Sequence, residues 1–164
     1  MTRALLAAAL ALAVAPGAYA ASSLTLSVLT SSPVNVAAVT LNGLDQTNTF
    51  TVVTSVAYTG GQTTAGWNVT AAAAPPTSGS NTLPGLQVTN VVAGTCTGGG
   101  CTNPTNTVTW AVPLTSTPAK IFNAAAGSGQ GTVSLTSTYQ VTYPANALPG
   151  TYSTTVAYAV AAGP

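Results

Sequence analysis

Histidine and glutamate are missing from this sequence altogether, and its ionic side chains are three: Arg3, Asp45 and Lys120. Catalysis by proton transfer needs groups that accept and donate protons near neutral pH, and a metal site needs ligands. Paired carboxylates, a Ser-His-Asp triad, a Cys-His pair and a His-rich zinc site are therefore excluded by inventory. A Ser-Lys dyad through Lys120 is formally open, but nothing like S-x-x-K surrounds "TPAKIF", and a solvated lysine in a loop is the simpler reading. Asp45, in "LNGLDQTN", reads as a turn residue bonding nearby backbone N–H groups. Calcium needs more anionic oxygens than the chain owns. The expectation is a protein that is not an enzyme and uses no metal and no cofactor.

Charged residues make up 2% of the chain, against roughly a quarter in ordinary soluble proteins. One lysine cannot neutralise a track of phosphates, so nucleic acid is excluded as a partner. The same poverty removes the basic patch of a peripheral membrane protein. Such a surface must be built of Thr, Ser, Asn, Gln and Gly, which hydrate well but set up no long-range repulsion between copies. Association comes easily to it. Disorder is not expected, because hydrophobic residues are 46% of the chain and β-branched residues are plentiful.

The first twenty residues, "MTRALLAAALALAVAPGAYA", have the three parts of a secretory signal. Arg3 supplies the positive start, Ala4 to Ala15 an apolar run too short to span a bilayer, and Ala18-Tyr19-Ala20 an A-x-A cleavage site. The reading is a signal peptide over residues 1–20 and one secreted domain over residues 21–164, with no membrane span in the mature chain.

Within that domain the dominant period is two. "SLTLSVLT" places Leu24, Leu26 and Val28 on one face, and "QGTVSLTSTYQVTY" does the same with Val133, Leu135, Tyr139, Val141 and Tyr143, allowing one break. Similar runs span Val34 to Leu41, Phe50 to Tyr58, Trp67 to Ala72, Leu86 to Val92, Thr107 to Val112 and Tyr152 to Ala159. Turn-forming stretches such as "TGGQTTAG", "APPTSGSNTLPG" and "YPANALPG" separate them. The pattern predicts an all-β fold: an antiparallel two-sheet β-sandwich of about eight strands, Ig-like or jelly-roll-like with Greek-key connections. "PAKIFNAAAGSGQG" reads as a crossover loop with at most one helical turn.

Cys96 and Cys101 bracket "TGGG", and in an exported chain oxidation is the rule, so a local disulfide is expected. Asn68 stands in an N-V-T sequon, but inside a run that reads as a strand. "LPGTY" at Leu148 to Tyr152 begins like an L-P-x-T-G wall-sorting signal. Tyr152 stands where Gly is required, and no apolar tail or basic end follows, so attachment to a wall is expected to be noncovalent.

"AGWNVT" after a Gly-rich turn, "FNAAAGSGQGTVSLT" and the closing "YPANALPGTYSTTVAYAV" resemble the WxL surface domain of Gram-positive and related bacteria, from about Leu24 to the C-terminus. Trp67-Asn68-Val69 matches the first of the family's two motifs, and Tyr158-Ala159-Val160 occupies the place of the second, with Tyr158 for its Trp. The resemblance implies a secreted protein of the cell surface, adhering noncovalently, with peptidoglycan or a companion wall protein as partner. It makes Trp67, Val69, Tyr158 and Val160 the candidate binding residues. The residues themselves leave two readings of Trp67: a packed side chain alternating with Val69, or an exposed ring stacking on a sugar. A rival to the wall-bound protein is a structural subunit that polymerises into a fibre or layer by β-strand addition, with "ASSLTLSVLTSS" as donor strand.

Overall fold

The computed structural model describes residues 23–29, 34–36, 39–59, 65–98 and 100–163. The signal peptide read over residues 1–20 lies outside them, as do parts of the "TGGQTTAG" turn and of the Val34 to Leu41 run.

Alternation becomes structure most plainly in β3 (Gln46–Thr59) and β10 (Gly131–Tyr143), which pair antiparallel from Tyr58 opposite Gly131 to Gln46 opposite Tyr143. Every second residue of β10 turns inward and is buried: Val133, Leu135, Ser137, Tyr139, Val141 and Tyr143. From β3, Val52, Thr54, Val56 and Tyr58 join them. β1 (Ser23–Val28) lies on the far side of β3, and β7 (Gln87–Ala93) followed by the short β8 (Val112–Pro113) on the far side of β10. A second sheet consists of β4 (Trp67–Ala73) between β9 (Ala119–Ala124) and β12 (Val156–Ala162). A third, small one links β2 (Val34–Asn35), β11 (Ser153–Thr154), β5 (Thr77–Ser78) and β6 (Asn81–Thr82). The fold is all-β with antiparallel pairing throughout, and the buried faces of the five- and three-stranded sheets meet in one core.

Against the expected eight strands, the described residues form twelve segments in three sheets, five of the segments only two residues long. Two of the differences have clear causes. "AKIFNA" is a strand, not a crossover loop, and it hides from a period-two reading because the register with β4 shifts between Val69 and Thr70. Val69 opposes Phe122 while Thr70 opposes Lys120, so Ile121 is an extra residue and Ile121 and Phe122 are both buried. Conversely, Thr107 to Val112 contributes to a strand only at Val112, which opens β8. Its backbone is held by side chains: the Thr107 N–H donates to Asn123 Oδ1 at 2.9 Å, and Asn106 Oδ1 accepts the Val108 N–H at 3.1 Å and the Asn123 N–H at 3.0 Å. These bonds, with Trp110 Nε1–H donating to the Ile121 carbonyl at 3.1 Å, cover the outer edge of β9.

Among the described residues β1 and β12 are outer strands of their sheets, and they run close to each other. Each is hydrogen-bonded to one neighbour, β3 and β4 respectively, and neither "SLTLSV" nor "VAYAVAA" holds a charge, a Pro or a Gly. Where the chain enters β11, Tyr152 is buried and its hydroxyl donates back to the Leu148 carbonyl at 2.8 Å, bracing the "LPGTY" turn from within.

Candidate functional site

The two WxL-like triplets, far apart in sequence, lie on paired strands. In the β4–β12 ladder Val69 faces Val160, Ala71 faces Tyr158 and Trp67 faces Ala162. Trp67 and Val69 have no exposed surface. The indole stacks on Phe122 with centroids 5.6 Å apart, and its N–H donates to the Gly129 carbonyl at 2.9 Å, so the one polar atom of the ring is satisfied internally. Gly129 makes room for it. Its φ is +75°, and a Cβ there would meet the indole nitrogen and lie 2.8 Å from Ala124 Cβ, while Gly66, at φ +68°, lets the chain pass close to the Ala124 carbonyl. Of the two readings of Trp67, packing is the one the geometry allows; the ring has no free face for a sugar. Val69 is closed off in the same way, and Tyr158 and Val160 are half-buried against the core.

Tyr158 reaches across to β10, where its hydroxyl and that of Tyr139 lie 2.6 Å apart and share a hydrogen bond. Burial pushes the Tyr139 phenol up to about 12, against the smaller opposing effect of its bonds to Tyr158 and Ser137. Burial also raises Tyr158, and the neighbouring Tyr139 raises it further. Both stay neutral far above physiological pH. The pair ties the two sheets together and offers no acid or base for chemistry near pH 7.

The remaining candidates are placed as follows. Cys96 and Cys101 are bonded to each other. Their loop sits against the start of β10, where Thr97 and Thr132 exchange backbone hydrogen bonds at 2.9 and 2.8 Å. Lys120 is exposed, on β9 and not in a loop. Asp45 bonds a residue remote in sequence: its carboxylate accepts the Ala145 N–H at 2.7 Å, joining the turn before β3 to the turn after β10. Asn68 is half-buried on β4, and its Nδ2–H donates to the Gly163 carbonyl at 2.7 Å. Among the described residues no group of three or more His, Cys, Asp or Glu could hold a metal ion.

A concave feature lies elsewhere, on the outward face of the five-stranded sheet. A cleft of about 510 Å³ opens where Pro113, Gln87 and Gln140 stand side by side on β8, β7 and β10, with Thr142 next along β10. Leu86 and Leu114 bound it from the core side, both buried and fixed to each other by the Leu114 N–H donating to the Leu86 carbonyl at 2.8 Å. No charged residue lines it. Gln87 and Gln140 are half-buried, and among the described residues neither carboxamide has a hydrogen-bond partner. Sequence reasoning passed over both. Their outward positions in alternating runs were readable, but their standing directly opposite each other follows only from the β7–β10 register, which itself shifts at Thr138/Tyr139.

Compared with known proteins, the chain matches no family model, no curated protein and no solved structure.

Proposed function

We propose that this chain is a secreted, non-enzymatic protein of the cell surface, held noncovalently by a wall polymer such as peptidoglycan or by a wall-associated partner protein. The observation that carries the reading is the uncharged surface: Asp45 and Lys120 are the only ionic side chains among the described residues, and Asp45 is already engaged with backbone. A protein so built recognises its partner through apolar contact and neutral hydrogen bonds. The disulfide agrees with an oxidising compartment. The WxL likeness of the paired Trp67 and Tyr158 triplets supports the same reading, with Trp67 and Val69 building the domain and Tyr158 and Val160 partly open to a partner. We read the two facing sheets as a Greek-key sandwich, supported by the Tyr152 hydroxyl bonding a backbone carbonyl a few residues upstream, the arrangement of a tyrosine corner.

The test is retention on isolated cell walls. Mature protein pellets with walls, and boiling detergent or guanidinium releases it intact without any wall hydrolase. Protein freed only by muralytic digestion, carrying a wall fragment, overturns noncovalent retention. Protein that stays in the supernatant overturns the wall reading itself.

A second reading is favoured by the uncharged outer strands β1 and β12, which hold no Pro or Gly: a subunit that joins its copies by strand addition. Heat-resistant multimers forming without walls support that reading, and a monomer at high concentration removes it.

A further inference from the structure

We propose that the cleft over β7, β8 and β10 is a binding site for an uncharged oligosaccharide. The Gln87 and Gln140 carboxamides each offer a C=O acceptor and an NH₂ donor, and they stand opposite each other in register. Both are half-buried, with no partner for those groups among the described residues, and the Ser116 and Thr142 hydroxyls share the lining. Pro75 and Pro113 add rigid apolar surface. The volume of about 510 Å³ falls in the range of small-molecule sites.

The ligand class follows from matching these groups. An anionic or cationic ligand would lose part of its hydration and find no counter-charge in the lining. A purely apolar ligand would strand two carboxamides away from water. An extended peptide binds a sheet by its backbone at an exposed edge, but here the floor is a sheet face whose backbone groups are spent in the β7–β10 and β7–β8 ladders. Sugar hydroxyls donate and accept, as carboxamides do, and the C–H faces of the ring suit the exposed Pro75 and Pro113. The cleft's chemistry stands apart from wall retention, but its ligand is a wall component only if the function proposed above holds.

The experiment titrates ¹⁵N-labelled mature protein with two soluble probes, the trimers of glucose and of N-acetylglucosamine, up to about 10 mM, the weak-binding regime a few neutral hydrogen bonds can reach. Saturable shifts with at least one trimer are expected, clustered at Gln87, Gln140 and Ser116, and unchanged between low and high salt. The Gln87→Leu/Gln140→Leu double variant should bind about tenfold more weakly with its urea midpoint unchanged, by the loss of two neutral hydrogen bonds. Gln140→Glu, which keeps an acceptor and loses the donor, gives a second reading in case the double variant is destabilised, and it too should weaken binding. No saturable shift with either trimer overturns the proposal. So do undiminished binding by the folded variants, or shifts with capped pentaalanine in place of the sugars. Walls that retain both the native chain and the folded variants remove the cleft and leave the wall reading standing. Trimer binding by a protein that walls do not retain does the reverse.

Discussion

Trp67 shows how a residue can be central to a motif and have nothing to touch outside the fold. Its ring fills space between β4, β9 and the Gly129 turn, so Trp67→Ala should lower stability by about 3–5 kcal/mol through a cavity. A lowered urea midpoint checks this; a variant with native stability and lost wall retention would assign the ring to contact instead. Gly129→Ala should be destabilising in the same direction, because it adds a Cβ against Ala124 in a backbone region that L-residues avoid. The tyrosine pair gives a pH prediction of definite sign. With Tyr139 at about 12 and Tyr158 also raised, the folded state holds protons that the unfolded chain, titrating near 10, has given up. The stability is fully present below about pH 10 and falls as pH rises beyond it. Thermal melts should be flat from about pH 6 to 9, since no histidine is present and both cysteines are bonded, and then decline. Tyr158→Phe should reduce the alkaline slope.

Among the elements, the sequence was most informative where one face alone is buried. β3 and β10 alternate cleanly over more than ten residues each, and the inward residues of β10 other than Ser137 were readable as a list, while β3 was readable as a run from Phe50 to Tyr58. β9 was unreadable for a physical reason: its bulge buries Ile121, Phe122, Asn123 and Ala124 in succession, which breaks the period that marks a strand. The cleft was unreadable for another. It depends on which strand neighbours which, and β10 sits between β3 and β7, both distant in sequence. The cover over β9 supplies a test. Asn106→Ala removes the acceptor for the Asn123 and Val108 N–H groups and should cost about 1–3 kcal/mol for donors left unpaired. The uncovered edge should also promote association, which sedimentation at increasing concentration would detect. Removing the Cys96–Cys101 bond closes no large part of the fold, so the double alanine variant should lose only about 2 kcal/mol by loop entropy and keep its circular dichroism spectrum.

For the molecule as a whole, charge poverty decides how it responds to its solution. Ion pairs weaken as salt rises because exposed charges are screened beyond about 10 Å at 0.1 M, and this chain has almost none to screen. Retention on walls should therefore change little up to about 1 M NaCl and strengthen in sulfate, which favours apolar burial. Lys120→Ala should be silent in the same assay, and a steep salt dependence would refute the argument. The β3–β10 ladder also imposes an order in time. Gln46 opposes Tyr143, so a chain emerging N-terminus first holds β3 without its central neighbour until nearly all of the sequence has been made. Contacts this distant close slowly, on the scale of milliseconds to seconds for β-rich folds. During that wait the uncharged, strand-prone segments of neighbouring nascent chains have nothing to keep them apart. Refolding yield from denaturant should accordingly fall as protein concentration rises, a race between one slow intramolecular closure and encounters that grow with crowding.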